Sequence, residues 1–258
     1  MTIYSIFSAR QKQSLHQVPI LSPTLIVVRQ GEKRMYNGEE QLILSTNQAA
    51  ILPAGITPFM ENIPSQGQYL ADLFVPPRRW LVRFQEQYGQ LLAGLPNQYP
   101  SFKLDTVIEQ ALLPCKAQTP KDDPWQTAHI EIAWSQVLLE LIRLKVAAPF
   151  FIASNQPLGD HLRDLISLAP SQDWQAEKLA LQLGMSSATL RRRLQAENTS
   201  FSGLLQEVRM ARALGLVITT QQTISEIAAQ CGYESLASFS QAFKRHFETS
   251  PSELRATL

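Results

Sequence analysis

The chain has 258 residues, of which 45% are apolar and 17% charged, with a formal net charge of +1. This composition can fill packed cores, excludes a disordered chain and offers no run long enough to span a membrane. The near-zero charge removes bulk attraction to nucleic acid, so any case for DNA rests on where individual cations sit.

At this length one large or two ordinary domains are expected. Residues 1–10 lack the basic start, apolar middle and small-residue cleavage site of a secretory signal. Cys115 and Cys231 stand far apart, without disulfide or metal-ligand spacing. These features point to a cytoplasmic protein that does not associate with membranes.

Residues 1–75 read as β. Short apolar runs at 24–28, 41–44, 49–52 and 69–75 are punctuated by Asn37-Gly38, a hairpin signal, and by Pro53, Gly55, Pro76 and Pro77. Close-spaced short strands of this kind suggest a small sandwich or barrel. Arg29, Lys33 and Arg34 lie on or beside one of its strands. Such cations either decorate a solvated edge, where they discourage strand pairing, or one of them points inward. Alternation along a strand permits an inward Arg29 or Lys33, and a buried cation needs an anion. An apolar barrel with one inward cation would suit a small amphipathic acid, its tail among Ile26, Val28, Leu42 and Leu44.

The chain has four histidines, His16, His129, His161 and His246, and no two are at metal-ligand spacing. There is no Gly-rich phosphate loop and no nucleophile elbow. No metal, cofactor or enzymatic activity is expected.

Beyond Pro77 the pattern becomes helical, with candidates at 78–92, 104–113 and 124–146. Pro124 suits a first helical turn. In the last helix Ile130, Trp134, Val137, Leu141 and Leu144 recur in steps of four and three, the spacing of a coiled-coil seam. Ile132, Leu139 and Val146 form a second stripe. A helix apolar on two faces must bury both. The expectation is that the first stripe joins two copies in a homodimer; the alternative is that it is buried within its own domain.

Residues 147–157 read as a boundary, dividing a regulatory domain at 1–150 from a second domain at 157–258. In the second, basic and acidic residues balance. After a helix at 158–168 a motif occurs twice. A small Ala precedes a Gly by four residues (Ala180 and Gly184, Ala228 and Gly232), and a Ser then opens a segment with apolar residues four apart. These are Leu190 and Leu194 in the first copy, and Phe239, Phe243 and Phe247 in the second. Gly takes the backbone angle of a tight turn. Ser caps the next helix, and the apolar pair seats that helix on a core with its other face free. Each copy is a helix-turn-helix, and the repeat is harder to obtain by accident than one copy. Arg191, Arg192, Arg193, Lys244 and Arg245 fall on the second helices. Residues 201–217 read as one long helix joining the motifs, with Gly215 marking a bend. Thr223 and Glu226 have the form of a capping box.

Residues 224–228 with Cys231, Gly232 and Tyr233, then Ser238, Phe239, Ser240, Phe243, Lys244, Pro251 and Ser252, follow a known signature, as do Met185, Ser186, Leu190, Arg192 and Arg209. Residues 158–255 resemble the DNA-binding domain of the AraC/XylS family of bacterial transcription regulators, and residues 190–214 look most like its enterobacterial virulence and acid-resistance members. The resemblance implies two recognition helices in successive major grooves. Base-facing positions would fall on Ala188, Arg191 and Arg192 in the first, and on Leu236, Ala237, Ser240 and Gln241 in the second. Ser187 and Ser235 open the two helices, Arg193 would also contact DNA, and Lys244 and Arg245 would meet phosphates. Two arginines can grip guanines, so the first motif would carry most of the specificity and the second would mainly anchor.

The fold expected is α+β: a cupin-like N-terminal β-barrel with flanking helices, then an all-α domain with two helix-turn-helix motifs. The expected function is that of a sequence-specific transcription regulator, an activator working with double-stranded DNA and RNA polymerase. Some virulence regulators of this family bind fatty acids in such a barrel, which the resemblance extends to Arg29, Lys33 and Arg34.

Overall fold

The structure, a computed structural model, describes residues 4–96, 98, 100–117, 123–152 and 157–258. The chain divides into two compact units. The first comprises Met1–Ser14, Ser22–Ile152 and Thr257–Leu258; the second comprises Leu15–Leu21 and Ala153–Ala256. The expected linker includes residues 153–156, which lie outside the described residues.

The strands are Tyr4–Ala9 (β1), Gln13–Leu15 (β2), Thr24–Gln30 (β3), Glu32–Asn37 (β4), Glu40–Leu44 (β5), Gln48–Leu52 (β6), Phe59–Ile63 (β7), Tyr69–Phe74 (β8) and Phe102–Lys103 (β9). One sheet has the order β1-β8-β3-β6-β9 and the other β2-β7-β4-β5. The β4–β5 hairpin turns where Asn37-Gly38 signals it: Asn37 pairs with Glu40, and Gly38 takes a φ of 61°, which a two-residue hairpin loop requires. Pairing of β3 with β8 shifts register between Val28 and Gln30. This irregularity re-aims Arg29.

Helices Arg78–Tyr88 (α1), Thr106–Leu112 (α2) and Pro124–Arg143 (α3) pack on the first sheet. Asp105 caps α2 by accepting from the Ile108 N–H at 2.9 Å. The core joins Leu25, Val27, Ala49, Ile51 and Phe74 to Trp80, Phe84, Ile108 and Leu112. It also contains Ile130, Trp134, Val137 and Leu141, with Leu144 partly buried against it. The stripe expected to join two copies is therefore occupied within its own subunit. Trp134 meets Phe74 edge-on at 6.4 Å and Phe150 at 6.0 Å. The reason is bulk: the face carrying the indole is the one that fills the space over the sheet. The second stripe divides: Val146 is buried in the same core, whereas Ile132 is 68% and Leu139 37% exposed, with Trp125, 78% exposed, one heptad before Ile132.

The second unit contains Pro157–Leu168 (α4), Ala176–Gln182 (α5), Ser187–Ala196 (α6), Phe201–Thr219 (α7), Ile224–Gln230 (α8), Leu236–Phe247 (α9) and Pro251–Ala256 (α10). Leu162, Ile166, Leu179, Ala180, Leu190, Leu194, Leu204 and Val208 form one core. Leu15–Leu21 belongs to this unit, and its His16 N–H donates to Phe247 O at 3.4 Å. Helix α7 continues without interruption to Thr219 through Gly215, the site of the expected bend. The residue sits exposed, and its carbonyl accepts from the Thr219 hydroxyl at 2.8 Å.

Candidate nucleic-acid interface

The two motifs are built alike. After α5 the Gly184 N–H donates to Leu181 O and the Met185 N–H to Ala180 O, both at 3.0 Å; after α8 the Gly232 N–H donates to Ala229 O and the Tyr233 N–H to Ala228 O, again at 3.0 Å. This paired closure needs a left-handed residue, and Gly184 and Gly232 have φ of 66° and 78°. Ser186 Oγ then accepts from the Thr189 N–H at 3.2 Å, and Ser235 Oγ from the Ser238 N–H at 3.1 Å. The α8 start is a capping box, with the Thr223 N–H on Glu226 Oε2 at 2.7 Å and the Glu226 N–H on Thr223 Oγ1 at 3.2 Å. That backbone donor holds the Glu226 carboxyl below its usual range.

Each second helix is seated by its apolar positions. Leu190 and Leu194 are buried, and Phe239, Phe243 and Phe247 pack in series as tilted ring pairs with centroids 5.8 and 4.6 Å apart. The opposite faces are open. Ser187, Ala188, Arg191, Arg192 and Arg193 are exposed on α6; Ser235 caps α9, where Leu236, Ala237, Gln241, Lys244 and Arg245 are exposed and Ser240 is half-buried. Among the described residues, none of the three consecutive arginines makes a hydrogen bond or ion pair. Their donors are available for base edges or phosphates. A cleft of about 640 Å³ runs beside α6, lined by Ser187, Ala188, Arg191, Gln195, Ser200 and Ser202 among others.

Arg163 and Arg209 brace this unit, and spacing alone assigned neither a role. Arg163 is buried and ion-paired with Asp160 at 3.0 Å and Glu207 at 3.2 Å. The Arg209 Nε–H donates to Pro170 O at 3.1 Å.

The three N-terminal cations do not form one site. Arg29 binds Asp72 at 2.7 Å and also Glu109; Arg34 pairs with Glu32 at 2.6 Å. Only Lys33 points inward. It is 5% exposed, faces Asn62 across β4 and β7, and donates to Asn62 Oδ1 at 2.8 Å. The Asn62 amide in turn donates to Gln13 Oε1 at 3.0 Å. Among the described residues no carboxylate pairs with Lys33, and burial lowers its pKa to about 7. Nothing in the sequence around Asn62 and Gln13 marks them as partners of Lys33, although alternation along β7 places Asn62 on the inward face with Met60. A separate cavity of about 270 Å³ is lined by Met35, Leu42, Leu52, Ile56, Pro58 and polar groups including Glu40; among the described residues no cation lines it. Among the described residues, no cluster of His, Cys, Asp or Glu could hold a metal ion, and no helix is long and apolar enough to cross a membrane.

A family model described as a helix-turn-helix domain matches residues 179–257. The urease operon transcriptional activator of Escherichia coli is 34% identical over 101 residues, 39% of this chain and 34% of that protein. The chain thus spans about a third of that relative's length. Solved structures of ToxT from Vibrio cholerae cover the whole chain: one, covered over 98% of its length, has a TM-score of 0.70 at 14% identity. Another, described as bound to an unsaturated fatty acid, is covered over 95%, with a TM-score of 0.69 at 15% identity. At such identity the likeness is one of fold: the α+β architecture is that of ToxT.

Proposed function

We propose that this chain, whose residues 179–257 match a helix-turn-helix domain, is a cytoplasmic, sequence-specific transcription regulator of the AraC/XylS type, acting as an activator with RNA polymerase. The observation that carries this reading is the pair of Gly-turned, Ser-capped helices whose outward faces are open, one with three unpaired arginines. Arg191 and Arg192 read bases on the first helix. Leu236, Ala237, Ser240 and Gln241 offer apolar and weak polar contact on the second, anchored by Lys244 and Arg245. Two unlike readers on one chain protect an asymmetric stretch of roughly two helical turns. Footprinting the full chain on duplexes it selects from a random pool tests this. Protection of a single groove would make the second motif structural, and selection of no duplex would refute the reading.

A second reading concerns control. Lys33 is a buried amine with no carboxylate paired to it among the described residues, and a small amphipathic acid would supply the anion that holds it as an ammonium, its tail against the apolar interior. The fatty acid bound by the similarly folded ToxT is consistent with that chemistry. Arg29 and Arg34, already ion-paired, play no part. Titrating fatty acids while following DNA binding tests it: no effect on the wild type, or an equal effect on Lys33→Met, would remove the acid from Lys33.

A further inference from the structure

We propose that Arg209 is a positioning residue that fixes the second reading helix relative to the first, an inference that rests on the DNA-regulator reading above. Arg209 lies on α7, between the two motifs. Its Nε–H donates to Pro170 O at 3.1 Å and its Nη2–H to Gln172 O at 3.2 Å. Both carbonyls belong to the loop that leads into α5, the opening helix of the first motif. The same loop is tied back by Trp174 Nε1–H on Ala169 O at 2.9 Å. The guanidinium also lies over the ring of Tyr233, 5.9 Å from its centroid. Tyr233 sits in the turn of the second motif and meets Phe239 of α9 edge-on at 5.4 Å. One planar group thus holds the approach to the first motif with its fork and the turn of the second with its face.

The turn is shaped to admit it. A Cβ at Gly232 would lie 2.6 Å from Arg209 Nη2 and 3.0 Å from Pro170 O. Gly232 is therefore needed twice, for its φ of 78° and for the space the guanidinium fills. Neither motif depends on Arg209 for its own core: Leu190 and Leu194 seat α6, and the phenylalanine series seats α9. What the residue supplies is the relation between them. That relation matters on DNA because, once one helix is in its groove, the other binds as a tethered partner. Its effective concentration depends on how narrowly the tether confines it. A lysine at this position keeps the charge but has neither fork nor plane.

The test uses the full-length chain and a duplex that the wild type selects from a random pool. A second duplex ends before the segment that the second motif covers, so that neither its bases nor its phosphates are present. Arg209→Lys should bind the intact duplex about tenfold more weakly and the shortened one within about twofold of wild type. It should also lose the wild-type discrimination against a one-base-pair insertion between the two contacted segments. Equal loss on both duplexes, the mark of misfolding or of a lost phosphate contact, overturns the inference, as does no loss on either. A wild type that selects no duplex refutes the regulator reading itself.

Discussion

Lys33 Nζ donates to Asn62 Oδ1 at 2.8 Å with both side chains buried, and the two residues face each other in register across β4 and β7. An amide oxygen satisfies one ammonium proton but does not neutralise the charge. Burial therefore lowers the pKa from 10.5 to about 7. Between those values the unfolded chain binds a proton at Lys33 that the folded chain does not. Stability contributed here thus rises as pH increases from about 7 to 10.5, and the penalty is fully present below 7. Wild type should gain on the order of a few kcal/mol relative to Lys33→Met across that window. Urea melts at pH 7 and pH 9.5 measure it, and a difference that does not change with pH would contradict a buried, titrating lysine.

The same residue sets the pH dependence of the proposed effector. A carboxylate binds the ammonium form, which is the minor form of the free protein above pH 7. Acid affinity should therefore fall as pH rises above 7, by up to about tenfold per unit, until the complex itself titrates. The methyl ester should bind without this slope. Calorimetric titrations at pH 6.5 and 8.5 distinguish the cases; equal affinity at both pH values would place the carboxylate elsewhere.

Arg29 should behave differently. Burial pushes the Asp72 carboxyl up, but Lys116, Tyr4 and Arg29 together hold it below its ordinary 3.8. Lys116 donates to Asp72 at 2.9 Å and Tyr4 at 2.7 Å. Arg29→Ala leaves these two donors, so it should destabilise by about 1–3 kcal/mol rather than unfold the chain. The effect should be present above the ordinary carboxyl pKa and shrink as pH falls through the lower folded value. Acid binding by the folded variant should match wild type.

What the sequence revealed was local. Gly184 with Ser186 and Gly232 with Ser235 act within a few residues, so their spacing already states the turn and cap. Thr223 and Glu226 are legible for the same reason. Asn62 and Gln13 were not, since they reach Lys33 through strand pairings 29 and 49 residues long in sequence. Arg29 and Lys33 look like neighbours in the chain, but the register shift at Arg29 sends it to Asp72. In α3 periodicity identified two apolar stripes without saying which one the subunit keeps. Arg209 was visible as part of a signature, but its partners lie 37 and 39 residues away.

The base readers give a direct comparison. Arg191 and Arg192 are exposed and have no partner among the described residues, so Arg191→Ala and Arg192→Ala should each cost about 1–3 kcal/mol on the selected duplex and relax preference at one position. Lys244→Ala should weaken binding to all sequences alike and reduce the salt slope by about 1. Competition gel shifts against random DNA separate the two effects. Equal losses on selected and random duplexes for both arginine variants would move these side chains from bases to phosphates.

The α3 helix supplies the last comparison. Val137 and Leu141 are wholly buried in the subunit core, so a charge at either should unfold the first unit, with a cost of several kcal/mol. Trp125, Ile132 and Leu139 recur every seven residues and are exposed. If the chain forms a homodimer through α3, this is the stripe that meets the partner, because the other stripe is already filled. Ile132→Glu with Leu139→Glu should therefore leave the circular dichroism and melting transition close to wild type, while sedimentation shows a shift from dimer to monomer. A double variant that remains dimeric would place the dimer contact on another surface, and a wild type that sediments as a monomer would remove the homodimer altogether.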